Sequence, residues 1–153
     1  MPQVVHAEGK IAYLDIQKIL QTSNIGKSTL NELNSISQKN IETIKGKEAA
    51  LKKKEEEIKL KKNLLSQDEL SQEIEKLKKN FINLRNEKDK LSSEFNKLKN
   101  DKMNLFFEKI SPIVQEFMKE NNIEILLDRK NIFIGKANSD ITNDIILAIN
   151  KKL

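Results

Sequence analysis

The sequence predicts an α+β protein that is mostly α-helical, with a small β-containing body and a long antiparallel coiled-coil hairpin of two helices. Two patterns lead to this prediction: apolar residues recur at every seventh position through the middle of the chain, and short apolar runs lie towards both ends. The heptad ladder comprises Ile44, Leu51, Ile58 and Leu65 and, after an interruption, Leu70, Leu77, Leu84, Leu91, Leu98 and Leu105. Such a repeat keeps one side of a helix against a partner helix, so the two series predict two paired helices.

The first nine residues are predicted to be a disordered segment or the remnant of a signal peptide. Val5-His6-Ala7, followed by Glu8-Gly9, has the small or aliphatic side chains that signal peptidase prefers before its cleavage site. The apolar stretch that normally precedes such a site is missing from this sequence. Two explanations are open: an exported protein that lacks most of its signal peptide here, or a chance match.

Three short strands are predicted in the body, which comprises residues 10–26 and 111–153. Residues 10–15 and 123–128 are apolar runs that end in an aspartate, as expected for strands that lead into a helix cap or a turn. Residues 132–134 form a shorter apolar run that ends at a glycine, which predicts a hairpin with the second strand.

A short closing helix completes the predicted body, with Thr142 placed to cap it from Asn143 onward. A body of this size is too small to be stable alone, and the chain has no Cys for disulfides. Association between copies is the remaining source of stability, so we expect a homo-oligomer. The residues predicted to form its body are Ile11, Tyr13, Ile125, Leu127, Ile132 and Ile134.

The hairpin arm is predicted to span residues 27–110, with its tip near 66–69. Ser66 and Glu69 have the spacing of a capping box, in which each side chain bonds the backbone N–H of the other residue. A helix that begins there would run back along the first one.

Two positions are predicted to mark where the arm joins the body. Pro112 removes a backbone donor and crowds the preceding turn, so we expect a kink or a helix restart there, with Ser111 as a cap. Gly26 disfavours a helix interior and predicts a bend on the outgoing side.

The arm carries all of the net positive charge of +5. Residues 27–109 contain 20 basic and 15 acidic residues, whereas the remainder contains 8 of each. Several lysines fall at positions that would face the partner helix, where they pack less well than leucine but can keep the ammonium group in water. These seam lysines are Lys47, Lys54 and Lys61 on the first helix and Lys88 and Lys102 on the second, where Phe81 and Phe95 belong to the same line.

The composition argues against an enzyme. Without Cys, and with His6 as the only histidine, the chain cannot assemble a nucleophile–base pair or a nitrogen–sulfur metal site within the fold. We therefore expect no catalytic, cofactor-binding or metal-binding residues, and no cofactor. No apolar run approaches the roughly 18 residues of a membrane span.

With these pieces in this order, the sequence resembles the Skp/OmpH family of periplasmic chaperones for outer-membrane proteins. The likeness covers essentially residues 10–153. The matching features are residues 11–15, Ser23 and Gly26-Lys27, the long charged hairpin, Pro112, residues 123–128, and residues 140–142 before the closing helix.

The resemblance implies a periplasmic homotrimer whose strands form a central barrel and whose hairpins surround a cavity. Unfolded outer-membrane proteins would be held there without ATP and kept from aggregating. The candidate client-binding residues on the cavity side are Lys47, Lys54, Lys61, Phe81, Lys88, Phe95 and Lys102. Peripheral contact with membrane lipid is a further expected interaction.

Two other classes of function remain as alternatives. A structural coiled coil would act as a scaffold or spacer and would not protect unfolded proteins. A basic nucleic-acid-binding protein would need Arg-rich or aromatic-interleaved patches, whereas Lys and Glu alternate along these arms. We therefore expect no nucleic-acid partner.

Overall fold

The computed structural model describes residues 9–153, so the predictions for the first eight residues lie outside the described part of the chain. In chain order the elements are β1 (Lys10–Leu14), α1 (Ile16–Thr22), α2 (Asn24–Lys61), α3 (Gln67–Glu120), β2 (Ile123–Asp128) and α4 (Thr142–Lys152). Two single-turn 3₁₀ helices, Arg129–Asn131 and Ala137–Ser139, lie between β2 and α4. The chain divides into two compact units: a paired-helix unit, Leu33–Asn100, and a terminal unit formed by the described residues up to Glu32 together with Asp101–Leu153.

β1 and β2 are parallel neighbours in a two-stranded sheet, although more than a hundred residues separate them in sequence. Parallel strands need a long connection, and here the segment that contains α1, α2 and α3 provides it. Ala12 and Leu14 on β1 point into the core, whereas Ile11 and Tyr13 alternate to the opposite side.

The predicted third strand is wrong for this chain, because residues 132–134 form no ladder with the sheet. The Asp128 carboxylate accepts a bond from the Lys130 N–H and starts a 3₁₀ turn directly after β2. The Ile132 N–H closes that turn on the Arg129 carbonyl at 3.1 Å, so it is not available to a strand. Instead, Asp140 forms an isolated parallel bridge with Tyr13.

The core of the terminal unit is built from α1, the end of α3, the sheet and α4. Its most deeply buried apolar side chains are Ile19, Phe106, Ile145 and Ile149. A break at Ser23 separates α1 from α2, and Gly26 is required beside it, because a Cβ there would lie 2.0 Å from the Leu20 carbonyl oxygen.

α3 continues through Pro112 to Glu120, so the predicted helix restart does not occur. Ser111 does not act as a cap. Its hydroxyl instead donates to the Phe107 carbonyl one turn earlier, at 2.6 Å.

Thr142 does not cap α4, because it is already the first residue of that helix, and Ile141 at the cap position makes no side-chain cap bond. The Asp140 carboxylate accepts bonds from the N–H and the hydroxyl of Thr142. The Thr142 hydroxyl also accepts the Asp15 N–H at 3.0 Å, which ties α4 to the end of β1. Thr142 is therefore a buried link between two elements.

Asp140 is expected to make the terminal unit sensitive to acid. Partial burial alone would raise its pKa, but the two bonds from Thr142, with Arg129 and Lys18 nearby, outweigh burial and hold the pKa below its ordinary value. A carboxyl group whose pKa is lower in the folded than in the unfolded protein stabilises the fold at pH values above its unfolded pKa of about 4. This stabilisation is lost as the pH falls through the folded pKa.

Asp140→Asn should therefore lower the free energy of unfolding at pH 7 by about 1.5–3 kcal/mol, the range for a hydrogen bond to a charged group. The difference from the parent should shrink as the pH falls below about 4 and then through the lower folded pKa, because the parent carboxyl is then protonated in the folded protein as well as in the unfolded one. Urea unfolding at several pH values measures this. Asp144→Asn, at an exposed position in the first turn of α4, is the control. An undiminished difference at low pH would exclude the ionic contribution.

In the paired-helix unit the predicted ladder marks the buried side of both helices at Ile44, Ile58, Leu77 and Leu84. The capping box is confirmed: the Ser66 N–H donates to Glu69 at 2.9 Å and the Glu69 N–H donates to the Ser66 hydroxyl at 3.3 Å. The bonds from Ser66 also hold the Glu69 pKa below its ordinary value.

Candidate functional site

The outward side of the sheet is an exposed apolar surface, which we call the outer face and define as Ile11, Tyr13, Ile125 and Leu127. Ile11 lies beside Ile125 and Tyr13 beside Leu127 in the strand register. Exposure reaches 58% for Ile11, 48% for Ile125 and 41% for Leu127. Contiguous exposed apolar groups of this kind are typical of a surface that a partner covers.

The loop after β2 is held next to the outer face. The Tyr13 hydroxyl donates to the Lys136 carbonyl at 3.2 Å, and Gly135 packs so closely that an added Cβ would lie 2.7 Å from the Tyr13 ring. In this loop Phe133 is 98% exposed and Ile134 is also exposed, whereas Ile132 is half-buried. The six residues predicted for the oligomer body thus fall on the sheet and this loop.

Three of the five seam lysines form ion pairs between α2 and α3. Lys47 pairs with Glu87, Lys88 pairs with Glu48 at 3.7 Å, and Lys102 pairs with Glu32 at 2.8 Å. All six side chains are partly exposed, so each pair contributes no more than about 1 kcal/mol. These lysines are occupied by contacts within the chain.

Lys54 and Lys61 differ from the other seam lysines, because within residues 9–153 neither forms an ion pair. Both are exposed and line a shallow depression near the end of α2, next to Glu57 and Glu69.

Phe81 and Phe95, the two aromatic candidates, have different surroundings. Phe81 is exposed on α3, whereas Phe95 is half-buried and lines an apolar groove with Ile41 and Ile44 of α2. Sequence reasoning missed Ile41 because it lies outside the heptad ladder. Sequence reasoning also missed Leu60 and Leu64, which are almost fully exposed near the end of α2 and do not belong to the heptad ladder.

The positive charge is concentrated in the paired-helix unit. Leu33–Asn100 contains 17 basic and 12 acidic residues, a net charge of +5, whereas the rest of the sequence has 11 of each. Within residues 9–153 no cluster of His, Cys, Asp and Glu could hold a metal ion, and no helix is long and apolar enough to cross a membrane.

Comparison with known proteins gives a consistent picture of the fold. The sequence model of the family described as "Outer membrane protein (OmpH-like)" matches residues 10–149. A crystal structure of an OmpH-like protein from Caulobacter crescentus, described as a candidate outer membrane chaperone, superposes with a TM-score of 0.86 at 18% identity. The match covers 96% of this chain and 87% of that one. No characterised protein sequence matches significantly.

Proposed function

Because this chain belongs to the OmpH-like outer membrane protein family, we propose that it is an ATP-independent chaperone that holds unfolded outer-membrane proteins and prevents their aggregation. The proposed location is the periplasm, where such clients travel between two membranes. The observation that carries the proposal is the exposed outer face, because it gives a reason for several copies, each with its own pair of long helices, to assemble.

The proposed assembly is a homotrimer whose outer faces meet in a central barrel. Burying the outer face in this way would remove Ile11, Ile125 and Leu127 from water, at roughly 25 cal/mol per Å² of apolar surface. The exposed loop that carries Phe133 and Ile134 would join the same interface. The copy number of three is taken from the family resemblance.

The proposed client site is the cavity enclosed by the antiparallel hairpins of the assembly. At 1.5 Å per residue, the 38 residues of α2 measure about 57 Å, which is long enough to border a large space. The net charge of the paired-helix unit would attract acidic unfolded chains, and exposed apolar residues such as Phe81 would contact their apolar segments. Contacts of this kind are individually weak, so release needs no nucleotide.

Peripheral contact with membrane lipid is proposed for the end of α2. Leu60 and Leu64 are exposed there and alternate with Lys59, Lys61 and Lys62. Exposed leucines beside lysines suit the boundary between acyl chains and anionic headgroups.

An aggregation assay tests the chaperone function against its alternatives. A denatured outer-membrane β-barrel protein is diluted out of urea, without nucleotide, and its turbidity is followed with and without this protein. The proposal predicts suppression at about one assembly per client. A scaffold protein would leave the turbidity unchanged. A nucleic-acid-binding protein would do the same and would also bind DNA with a steep salt dependence.

Charge reversal at the two unpaired seam lysines should weaken client capture. Lys54→Glu with Lys61→Glu lowers the net charge of the chain by 4, from +5 to +1. We expect about threefold to tenfold less protection at low salt, because each exposed charge contact contributes up to about 1 kcal/mol. The loss should diminish at high salt, where such contacts are screened. The aggregation assay at two salt concentrations measures both effects.

The matched control is Lys119→Glu with Lys151→Glu, which makes the same charge change at exposed positions of the terminal unit. Protection by this variant should fall much less. An equal loss in both double variants would mean that net charge alone matters, and no loss in either at low salt would exclude an electrostatic role for these lysines.

A further inference from the structure

The paired-helix unit contains an apolar groove of about 370 Å³ between α2 and α3. Its apolar lining comes from Ile41 and Ile44 of α2 and from Leu91 and Phe95 of α3. On each helix the lining residues recur at intervals of three and four, so each helix contributes one continuous face. A cavity of about 150 Å³ accommodates benzene, so this groove has room for an aromatic side chain and adjoining backbone.

The groove exists because the seam lacks two large side chains. Seven residues before Ile44, the position that continues the heptad ladder is Ser37, and Ser92 lies on the facing side of the groove. Neither side chain is long enough to fill the space between the helices. As a result Ile41 remains 44% exposed, although it faces the same groove as the buried Ile44.

The rim of the groove carries an excess of positive charge. Lys45, Glu48 and Lys88 line it, and Lys88 is paired with Glu48. Within the described residues Lys45 forms no ion pair. An apolar floor with one unpaired ammonium group at its edge complements an apolar side chain that has a carboxylate beside it in sequence.

We propose that this groove binds one aromatic or large aliphatic side chain of an unfolded client segment, with an acidic neighbour of that side chain facing Lys45. This deepens the proposed chaperone function and rests on it. The groove gives each hairpin a defined contact point that selects apolar residues next to Asp or Glu. The remaining contacts of the hairpin stay unspecific.

The probe is a fluorescent, soluble Ser/Thr peptide with a single central Phe flanked by Asp, and its affinity for the full-length protein is measured by anisotropy. Two matched peptides carry Ala in place of Phe, or Lys in place of Asp. The proposal predicts about tenfold weaker binding for the Ala peptide, the loss expected when one large apolar side chain is no longer buried. The Lys peptide should bind more weakly than the Asp peptide, chiefly at low salt.

A substitution that fills the groove should raise the stability of the protein and weaken its binding of the peptide, so the two effects can be told apart. Ser92→Leu should raise the thermal unfolding midpoint by about 2–4 °C, because it adds apolar contact to the seam, and should weaken binding of the Phe peptide about tenfold. Ser93→Leu is the matched control, because Ser93 is the adjacent exposed serine and does not line the groove. It should leave peptide affinity unchanged.

Ile41→Ala provides a second variant that removes part of the lining without filling the space. It should weaken binding severalfold with little loss of helix content, whereas Ile82→Ala, at an exposed position of α3 outside the groove, should have no effect.

Three outcomes would overturn the proposal. Peptide affinity could be unchanged in Ser92→Leu and Ile41→Ala, which would mean that the groove is a gap in the packing of the two helices and binds no peptide. The Phe and Ala peptides could bind equally. Ser92→Leu could instead reduce the size of the assembly in light scattering, which would assign the groove to a second copy of this chain. In each case suppression of client aggregation by the parent protein still tests the chaperone function separately.

Discussion

Replacing Ile125 and Leu127 together by Asp should convert the proposed homotrimer into monomers and abolish protection of unfolded clients. Both side chains lie on the outer face, where they are exposed in the single chain, so the change costs the monomer little. In the assembly the same change would bury unpaired carboxylates against apolar neighbours, which is strongly unfavourable. Light scattering coupled to gel filtration measures the mass, and circular dichroism measures the retained helix content.

The matched control for this experiment is Leu147→Asp with Leu153→Asp. Both leucines are also exposed in the terminal unit, but Leu147 belongs to α4 and Leu153 follows it, so neither is part of the sheet. This variant should keep the mass and the protective activity of the parent. If the Ile125/Leu127 variant retains the parent mass, the outer face is not the contact between copies.

Ile149→Ala should cost about 2–5 kcal/mol of the free energy of unfolding, the range measured for large-to-small changes in protein cores. Ile149 is 0% exposed and packs within the core of the terminal unit, so its removal leaves a cavity that the neighbouring side chains fill only in part. Urea unfolding measures the change, at one fixed chain concentration so that the proposed association between copies contributes equally to both proteins.

Leu147→Ala on the same helix is the comparison, since Leu147 is 68% exposed. Its effect should stay within about 0.5 kcal/mol, as is usual for surface positions. Similar effects of the two substitutions would mean that α4 does not pack through the side that contains Ile149.

The features that were predicted correctly from the sequence are those that depend on local patterns. The heptad ladder identified buried residues such as Ile44 and Leu84, and the spacing of Ser66 and Glu69 identified the start of α3. Both patterns work because helix periodicity and capping act over a few residues. The strand β1 was found for the same reason, as was Asp15 at the cap position of the helix that follows it.

The features that the sequence did not reveal depend on competition between two local structures for the same backbone group, or on contacts between residues far apart in sequence. Residues 132–134 have a strand-like composition. The Ile132 N–H, however, is bonded to the Arg129 carbonyl in the turn that begins at Asp128, so it cannot join a sheet. Thr142 was predicted to be a cap from its position before the last helix. Its actual hydrogen-bond partners, Asp140 and the distant Asp15, are brought to it only by the tertiary structure. The parallel pairing of β1 with β2 is likewise a product of tertiary structure.

The candidate site shows the same difference between local patterns, which the sequence reveals, and tertiary contacts, which it does not. Ile11 and Ile125 were both predicted to belong to the oligomer body, but their place side by side comes from the parallel pairing of β1 with β2, which the sequence did not reveal. The seam lysines were treated as one group, yet Lys47 has an acidic partner across the seam and Lys54 forms no ion pair among the described residues. The groove had a signal in the sequence, the serine at ladder position 37.

The most direct measurement of the chaperone function is the composition of a complex formed with an unfolded client. The protein is mixed without nucleotide with an outer-membrane β-barrel protein diluted from urea, and the soluble fraction is analysed by light scattering and circular dichroism. We expect a soluble complex of one client with three copies of this chain, in which the client has not folded into its barrel. Precipitation of the client at its own rate, with this protein remaining free in solution, would contradict the proposed function.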